Sequence, residues 1–481
     1  MNNIKGALYN AIDKVLQFRE DASCKNDLSP EALRNLVVED LPLEKCSLVD
    51  VEKDFDERIL KYCANDTSVK SMGFPDCGNS NPALVGTLYS ELLQQNLINQ
   101  LGSSPSVTFV EIATIRWLRD VVGYHNCPKQ EIKHVCDVGG ILDFGGTMSN
   151  TIAMMLAREN WQKDTMLKGV SNPEHFKVLL PEDIAHYSIE SSLMWLGMGS
   201  QIVTVKTKDF RMDQRDLKKK LKKHKGNIMA CAVYAGDSKT MTVEDLNGVY
   251  DIVKNENSNI WLHVDACHGF SLGFSEKLRH KINGIEKYDS ITTDPHKVLM
   301  IPYGLSILLT KDPQKFELLR TDSDLILKSQ EFAFGQITPF IGSKNAACLK
   351  LWFLIKTLGK KEIGKIIEQR HETAKYLANR LREHKNFVVL NDVGINSVMF
   401  LTVPPGVSVD DLEKIDKATR KTFQTICNEG KYYLHNFPIK IRDIFGRSEV
   451  VLHPLRYMSG NPNVTVRDID KLIDYLVSII N

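Results

Sequence analysis

The chain has 481 residues, enough for about three domain-sized units, and carries 61 basic against 60 acidic side chains. That balance leaves no whole-chain electrostatic footprint for nucleic acid or an acidic membrane surface, and no apolar run reaches the ~20 residues of a membrane-spanning helix. Ten cysteines are scattered without a CxxC pair, which suits free thiols in a reducing compartment. The opening stretch MNNIKGALYNAIDKVLQFRED has no signal-peptide h-region, so the expectation is a soluble, cytoplasmic protein with neither nucleic-acid nor membrane partners.

Residues 1–82 read as helical pieces broken by polar loops, an N-terminal arm that ends in the turn-rich run from Pro75 to Pro82. Residues 83–365 alternate short apolar strands with helical patterns, the signature of βαβ units and a mostly parallel sheet in an α/β domain. The predicted strands lie at 140–144, 227–234, 260–266 and 305–310, with a helix over 149–161. A small α+β domain, 366–481, opens on an amphipathic helix near 366–384. It continues through strand-like runs at 387–390 and 397–403 to a last helix over 466–480.

Three local patterns carry chemistry. Trp261-Leu262-His263-Val264-Asp265-Ala266 delivers an aspartate at the end of an apolar strand, the edge where α/β sheets bind ligands; such an aspartate also serves as a helix cap. Asp294-Pro295-His296-Lys297 sets a lysine in a turn between apolar strands. If desolvated, that amine can lose its proton and attack carbonyls; otherwise it is an exposed loop lysine. Phe144-Gly145-Gly146-Thr147-Met148-Ser149-Asn150 follows a strand and opens a helix, where free N–H groups hold phosphate. An anion cradle, a strand-end carboxylate and a buried amine are together the parts that pyridoxal 5'-phosphate requires. His186, in Ala185-His186-Tyr187-Ser188-Ile189, adds an imidazole that could stack on a flat ring.

The landmarks FGGTMSN, HYSIESSLMWLGMG, WLHVDA, LRHKINGIE, DPHK and LRYMSGNPNVTVRDID, in that order, resemble the group II pyridoxal-phosphate-dependent amino-acid decarboxylases. These are the relatives of glutamate, aromatic-amino-acid and histidine decarboxylase, and the likeness runs from about Ser104 to the end. It implies fold type I, the aspartate aminotransferase-like fold, a homodimer, and conversion of an L-amino acid to an amine and CO2. It also implies roles. Lys297 would carry the cofactor covalently, Asp265 would pair with the ring nitrogen, and His186 would stack on the ring. Gly146 and Thr147 would hold the phosphate, helped by Asp294 and His296. Arg456 matches the arginine that grips the substrate α-carboxylate in glutamate-type members, with an ion-pair arginine as the alternative.

Two departures stand out. The family's Gly-Thr-Thr is here Gly236-Asp237-Ser238, which keeps a hydroxyl at Ser238 for the cofactor and adds a charge without an evident place. The family's loop tyrosine, a proton donor, has no counterpart between Thr321 and Lys344, where Phe332, Phe334 and Phe340 stand instead. That loss leaves open an aldehyde-forming, oxygen-consuming outcome and, further off, a non-catalytic relative. The retained Lys297, Asp265 and His186 speak against the latter.

Overall fold

The computed structural model describes residues 4–20, 24, 28–75, 78–321, 332–444 and 447–480. Three N-terminal helices, α1 (Ile4–Glu20), α2 (Pro30–Val37) and α3 (Leu48–Arg58), bury none of their residues on this chain. Apolar side chains stay bare along this arm, Leu41 at 83% and Leu43 at 91% exposure.

The centre is a seven-stranded sheet. Its strands are β1 (Gly140–Asp143), β2 (Lys177–Pro181), β3 (Ile202–Val205), β4 (Ile228–Tyr234), β5 (Trp261–Asp265), β6 (Ser290–Thr293) and β7 (Ser306–Thr310). Their spatial order is β1-β7-β6-β5-β4-β2-β3. The run from β3 to β6 pairs in parallel, and β7 alone runs antiparallel to both of its neighbours. β4 and β5 are buried at every position. Strands covered on both faces lose the polar alternation of half-exposed ones and read as continuous apolar runs.

Helix α4 (Gly146–Trp161) follows β1, and α5 (Tyr187–Trp195) follows β2. The expected strands hold to within a residue or two, whereas the long helix does not. That helix, α6 (Cys348–Arg382), begins at Cys348 and turns at Gly359, whose φ of 65° is left-handed. Its first half packs Leu351 and Leu354 into the large core, and its second half packs Ala374, Leu377 and Leu381 into the C-terminal core. The large core also takes Ile363 and Ile367 beyond Gly359, so the helix breaks its period at one point and changes core at another, and a single amphipathic period found only part of it. The C-terminal part holds an antiparallel sheet of Phe387–Val389, Ser397–Thr402, Leu455–Met458 and His435–Asn436, backed by Val466–Ile479.

What positions the site is the edge at which β1, β2, β4, β5 and β6 end. The segments that leave those carboxyl ends carry Gly146, His186, Ser238, Asp265 and Lys297. Open α/β sheets bind ligands at this edge.

Candidate active site

A cavity of about 390 Å³ opens at this sheet edge, lined among others by Gly146, Thr147, His186, Ser238, Asp265, Asp294, His296 and Lys297. Eight of the nine residues singled out from the sequence therefore meet in one place. The ninth, Arg456, does not reach the wall. It sits on Leu455–Met458, where Nη1 donates to the Ser238 carbonyl and Nη2 to the Gly73 carbonyl at 3.2 Å. From there it braces the Ser238 turn from behind.

Helix α4 starts with the N–H groups of Gly146 and Thr147 uncommitted among the described residues, because the first amides of a helix have no carbonyl one turn back, while the Gly145 amide donates to Asp143 Oδ1 at 3.0 Å. Two such donors at the positive end of a sixteen-residue helix form an anion seat. Glycine is required at 146. A Cβ there would stand 2.8 Å from both Asp294 Oδ2 and Cys267 Sγ. Asp143 beneath the turn also accepts from Ser149 Oγ at 2.6 Å, yet burial pushes its pKa up from 3.8 to about 7.

Asp265 ends β5 with both oxygens oriented. Oδ2 accepts from Asn150 Nδ2 at 2.9 Å, and Oδ1 from the Cys267 amide at 3.1 Å. Asn150 is itself fixed by His263 Nε2 at 3.0 Å and reaches Ser188 Oγ at 2.9 Å. Burial pulls the His263 pKa down to about 4, so the ring is neutral, and its Nδ1 meets Ser290 Oγ at 2.8 Å. Ser188 Oγ lies 2.9 Å from His186 Nδ1, so one hydrogen-bonded chain joins His186 to Asp265. His186 is also the N-cap of α5, and its amide donates to Tyr234 Oη at 2.9 Å. Burial lowers its pKa, and Asp265 opposes that only in part.

Lys297 Nζ lies 2.7 Å from Asp294 Oδ2. Burial works against the ammonium, but Cys267 and Asp294 outweigh it and the lysine pKa rises. Cys267 is held by burial as the neutral thiol, which leaves Asp294 as the effective partner. Burial raises the Asp294 pKa, and Lys297, His296 and the Ser306 hydroxyl more than reverse that. His296 Nδ1 bonds the Leu305 carbonyl at 2.7 Å, which ties this turn to β7.

Asp237, the unplaced charge, is a turn brace away from the cavity wall. It is fully buried and takes the amides of Lys239, Thr240 and Thr242 at 2.7–3.0 Å. The phenylalanines of the expected loop do not line the cavity either. Phe334 is buried with the Lys344 ammonium 4.6 Å from its ring centre, Phe332 leans on Phe109 at 5.1 Å, and Phe340 is exposed. Residues 322–331 of that stretch lie outside the described residues. Sequence reasoning missed Asn150, Tyr234, Cys267, His268 and Tyr303, all on the wall. Asn150 was in view, since it closes the quoted FGGTMSN motif; nothing local marks the other four.

The fold and this cavity define a fold type I pyridoxal-phosphate enzyme, and the residues fit the group. An open anion seat, an oriented carboxylate and a lysine amine share one buried space. The "Pyridoxal-dependent decarboxylase conserved domain" matches residues 30–403, and the chain belongs to that family: it is a pyridoxal-phosphate-dependent amino-acid decarboxylase, a carboxy-lyase. It is 26% identical over 368 residues to L-2,4-diaminobutyrate decarboxylase of Acinetobacter baumannii, covering 70% of this chain and 68% of that one. Human cysteine sulfinic acid decarboxylase is 25% identical over 466 residues, covering 93% and 89%. In fold, mouse CSAD in apo form superimposes with a TM-score of 0.86 at 21% identity, covering 98% and 96%. Rhodiola rosea 4-hydroxyphenylacetaldehyde synthase gives 0.80 at 19%, covering 99% and 96%.

Proposed function

We propose that this cavity decarboxylates an L-amino acid to the amine, with Lys297, Asp265, His186 and the start of α4 as its working parts. The observation that carries the reading is the meeting of Lys297 Nζ, the Asp265 carboxylate and the uncommitted amides of Gly146 and Thr147 in one cavity. Gly146 and Thr147 would hold the phosphate, and Asp265 would hold the proton on the ring nitrogen. Lys297 would attach the aldehyde carbon through Nζ, and His186 would cover the ring face. When bound, the cofactor supplies the electron sink that accepts the pair left behind by CO2. Asp294 takes the ammonium proton's charge and so keeps Lys297 aimed into the cavity, with His296 anchoring the turn. Ser238 offers a hydroxyl beside the cofactor. Arg456 supports the substrate side by clamping the Ser238 and Gly73 carbonyls; any grip on a substrate α-carboxylate would have to be made while it holds them. Incubation with the twenty common amino acids, L-cysteine sulfinate, L-2,4-diaminobutyrate and DOPA, scoring CO2 and amine, tests the reading. No CO2 from any of them sinks it.

A second outcome is favoured by one observation, the lack of tyrosine from 321 to 344. There, amino acid, O2 and water would give aldehyde, CO2, ammonia and H2O2. Oxygen uptake equal to CO2 release would establish it.

We also propose a homodimer in a reducing, cytoplasmic setting. The arm α1–α3 bares apolar residues that a partner would cover, and obligate interfaces bury ~2,000 Å² or more. Among the described residues nine cysteines are free. A stable, active monomer in sedimentation would refute the dimer.

A further inference from the structure

His268 lies three residues beyond Asp265, lines the same cavity and is only 7% exposed. It has no part in the network that joins His186, Ser188, Asn150 and Asp265. Its Nδ1 is buried without a hydrogen-bond partner, and no other described residue bonds its ring. The backbone there is firmly placed: the His268 carbonyl accepts from Ser271 Oγ at 3.1 Å, and the next amide, of Gly269, donates to the Ala235 carbonyl at 2.7 Å. Gly236, in the left-handed region at φ 88°, lets the side chain come close. A Cβ at Gly236 would sit 3.2 Å from His268 Cβ and 2.4 Å from Ile395 Cδ1. The ring therefore belongs to the wall made by the Gly236–Ser238 turn, whereas its neighbour Cys267 faces the anion seat at Gly146.

A buried imidazole that bonds nothing is an exception to how proteins treat buried polar groups. Its surroundings say what would complete it. Burial, and then Lys297, Arg456, His186 and Arg370, drive its pKa well down, so the ring is neutral with one N–H to give. The charged groups that act on this ring are cationic, Lys297 on the wall and Arg456 and Arg370 beyond it, so the matching partner for that N–H is an anionic oxygen.

We propose that His268 is a ligand-binding residue of this site, its ring N–H holding an anionic oxygen that enters the cavity. That oxygen is either the ring oxygen of pyridoxal phosphate or the carboxylate of the amino-acid substrate. The inference rests on the cavity being the cofactor site.

The test uses the full-length protein, stripped of cofactor and reloaded, as wild type, His268→Phe, His268→Asn and His268→Gln. The dissociation constant of pyridoxal phosphate comes from fluorescence quenching and the absorbance maximum of the bound cofactor from its spectrum. KM and kcat follow for the substrate that the amino-acid panel identifies. A hydrogen bond to a charged oxygen is worth roughly 10- to 100-fold in affinity. If the partner is the ring oxygen, His268→Phe weakens cofactor binding by that factor and moves the absorbance maximum, while His268→Gln keeps more of both. If the partner is the substrate carboxylate, cofactor binding and spectrum stay put and KM rises by that factor with kcat little changed. His268→Asn, smaller than the imidazole, carries the test should the Phe variant not fold. Folded variants that match wild type in cofactor affinity, spectrum and KM overturn the inference. Wild type that fails to bind pyridoxal phosphate would instead overturn the assignment of the cavity itself.

Discussion

The two sides of the cavity were built by different means. On the side proposed for the cofactor, each functional group stands at the carboxyl end of a strand, Gly146 after β1, Asp265 on β5 and Lys297 after β6, with Asn150 of the first motif holding Asp265. The rest of the wall combines the Gly236–Ser238 turn, His268 and Tyr303 with Arg456 behind the turn on a C-terminal strand. The first repeats a common logic of α/β sheets, in which groups at strand ends meet at one edge. The second depends on residues hundreds of positions apart, such as Ser238 and Arg456.

The largest effect should come from breaking the cofactor side at its covalent point. Lys297→Ala should abolish both covalent cofactor attachment and turnover while leaving the circular dichroism spectrum unchanged, since only a primary amine forms the imine. Next, Asp265→Asn should lower activity by several orders of magnitude with cofactor still bound, because the amide cannot balance a protonated ring nitrogen. Near-normal turnover would make Asp265 a structural residue. A smaller loss is expected one step back. Asn150→Ala removes the donor to Asp265 Oδ2 and strands His263 Nε2, so cofactor affinity should fall roughly 10- to 100-fold; titration of apoenzyme measures it.

The turn beneath the anion seat should show in pH dependence. Asp143 has a folded pKa of about 7 against an ordinary 3.8. A raised carboxylate favours the folded state at low pH, and that contribution is lost as pH climbs from about 4 to about 7. Asp143→Asn should therefore flatten the change in Tm across this window, which thermal melts in a pH series would show. The smallest effect on chemistry belongs to the phenylalanines. Phe332→Tyr and Phe334→Tyr should leave the amine-to-aldehyde ratio unmoved, because neither ring lines this cavity. Phe334→Tyr should cost about 1–3 kcal/mol of stability by burying a hydroxyl, and a shifted product ratio would place that segment in the chemistry after all.

What the sequence made legible follows the same division. Strand β4 is a continuous apolar run, β5 is apolar but for His263 and its terminal Asp265, and the motifs at the strand ends are short, so both could be read from neighbouring residues. Arg456 could not be placed that way. The motif around it resembles one that carries a substrate-gripping arginine, but its guanidinium donates to the Ser238 and Gly73 carbonyls, contacts that only the folded chain creates. Asp237 resembled an extra charge at the site and is instead held by the turn from Lys239 to Thr242. His268 gave no signal at all, since a lone histidine after a strand-end aspartate is unremarkable until burial and the lack of a partner are known. The long helix was half missed because its period breaks at Gly359 and its length serves two cores.

Every role proposed for the cavity depends on where the cofactor is held. Borohydride reduction of the wild-type holoenzyme, followed by proteolysis and mass spectrometry, reads that position directly. The cavity geometry predicts a pyridoxyl-phosphate mass on the peptide that contains Lys297 and on no other lysine. A label on a different lysine, or a cofactor that washes away unreduced, would contradict it.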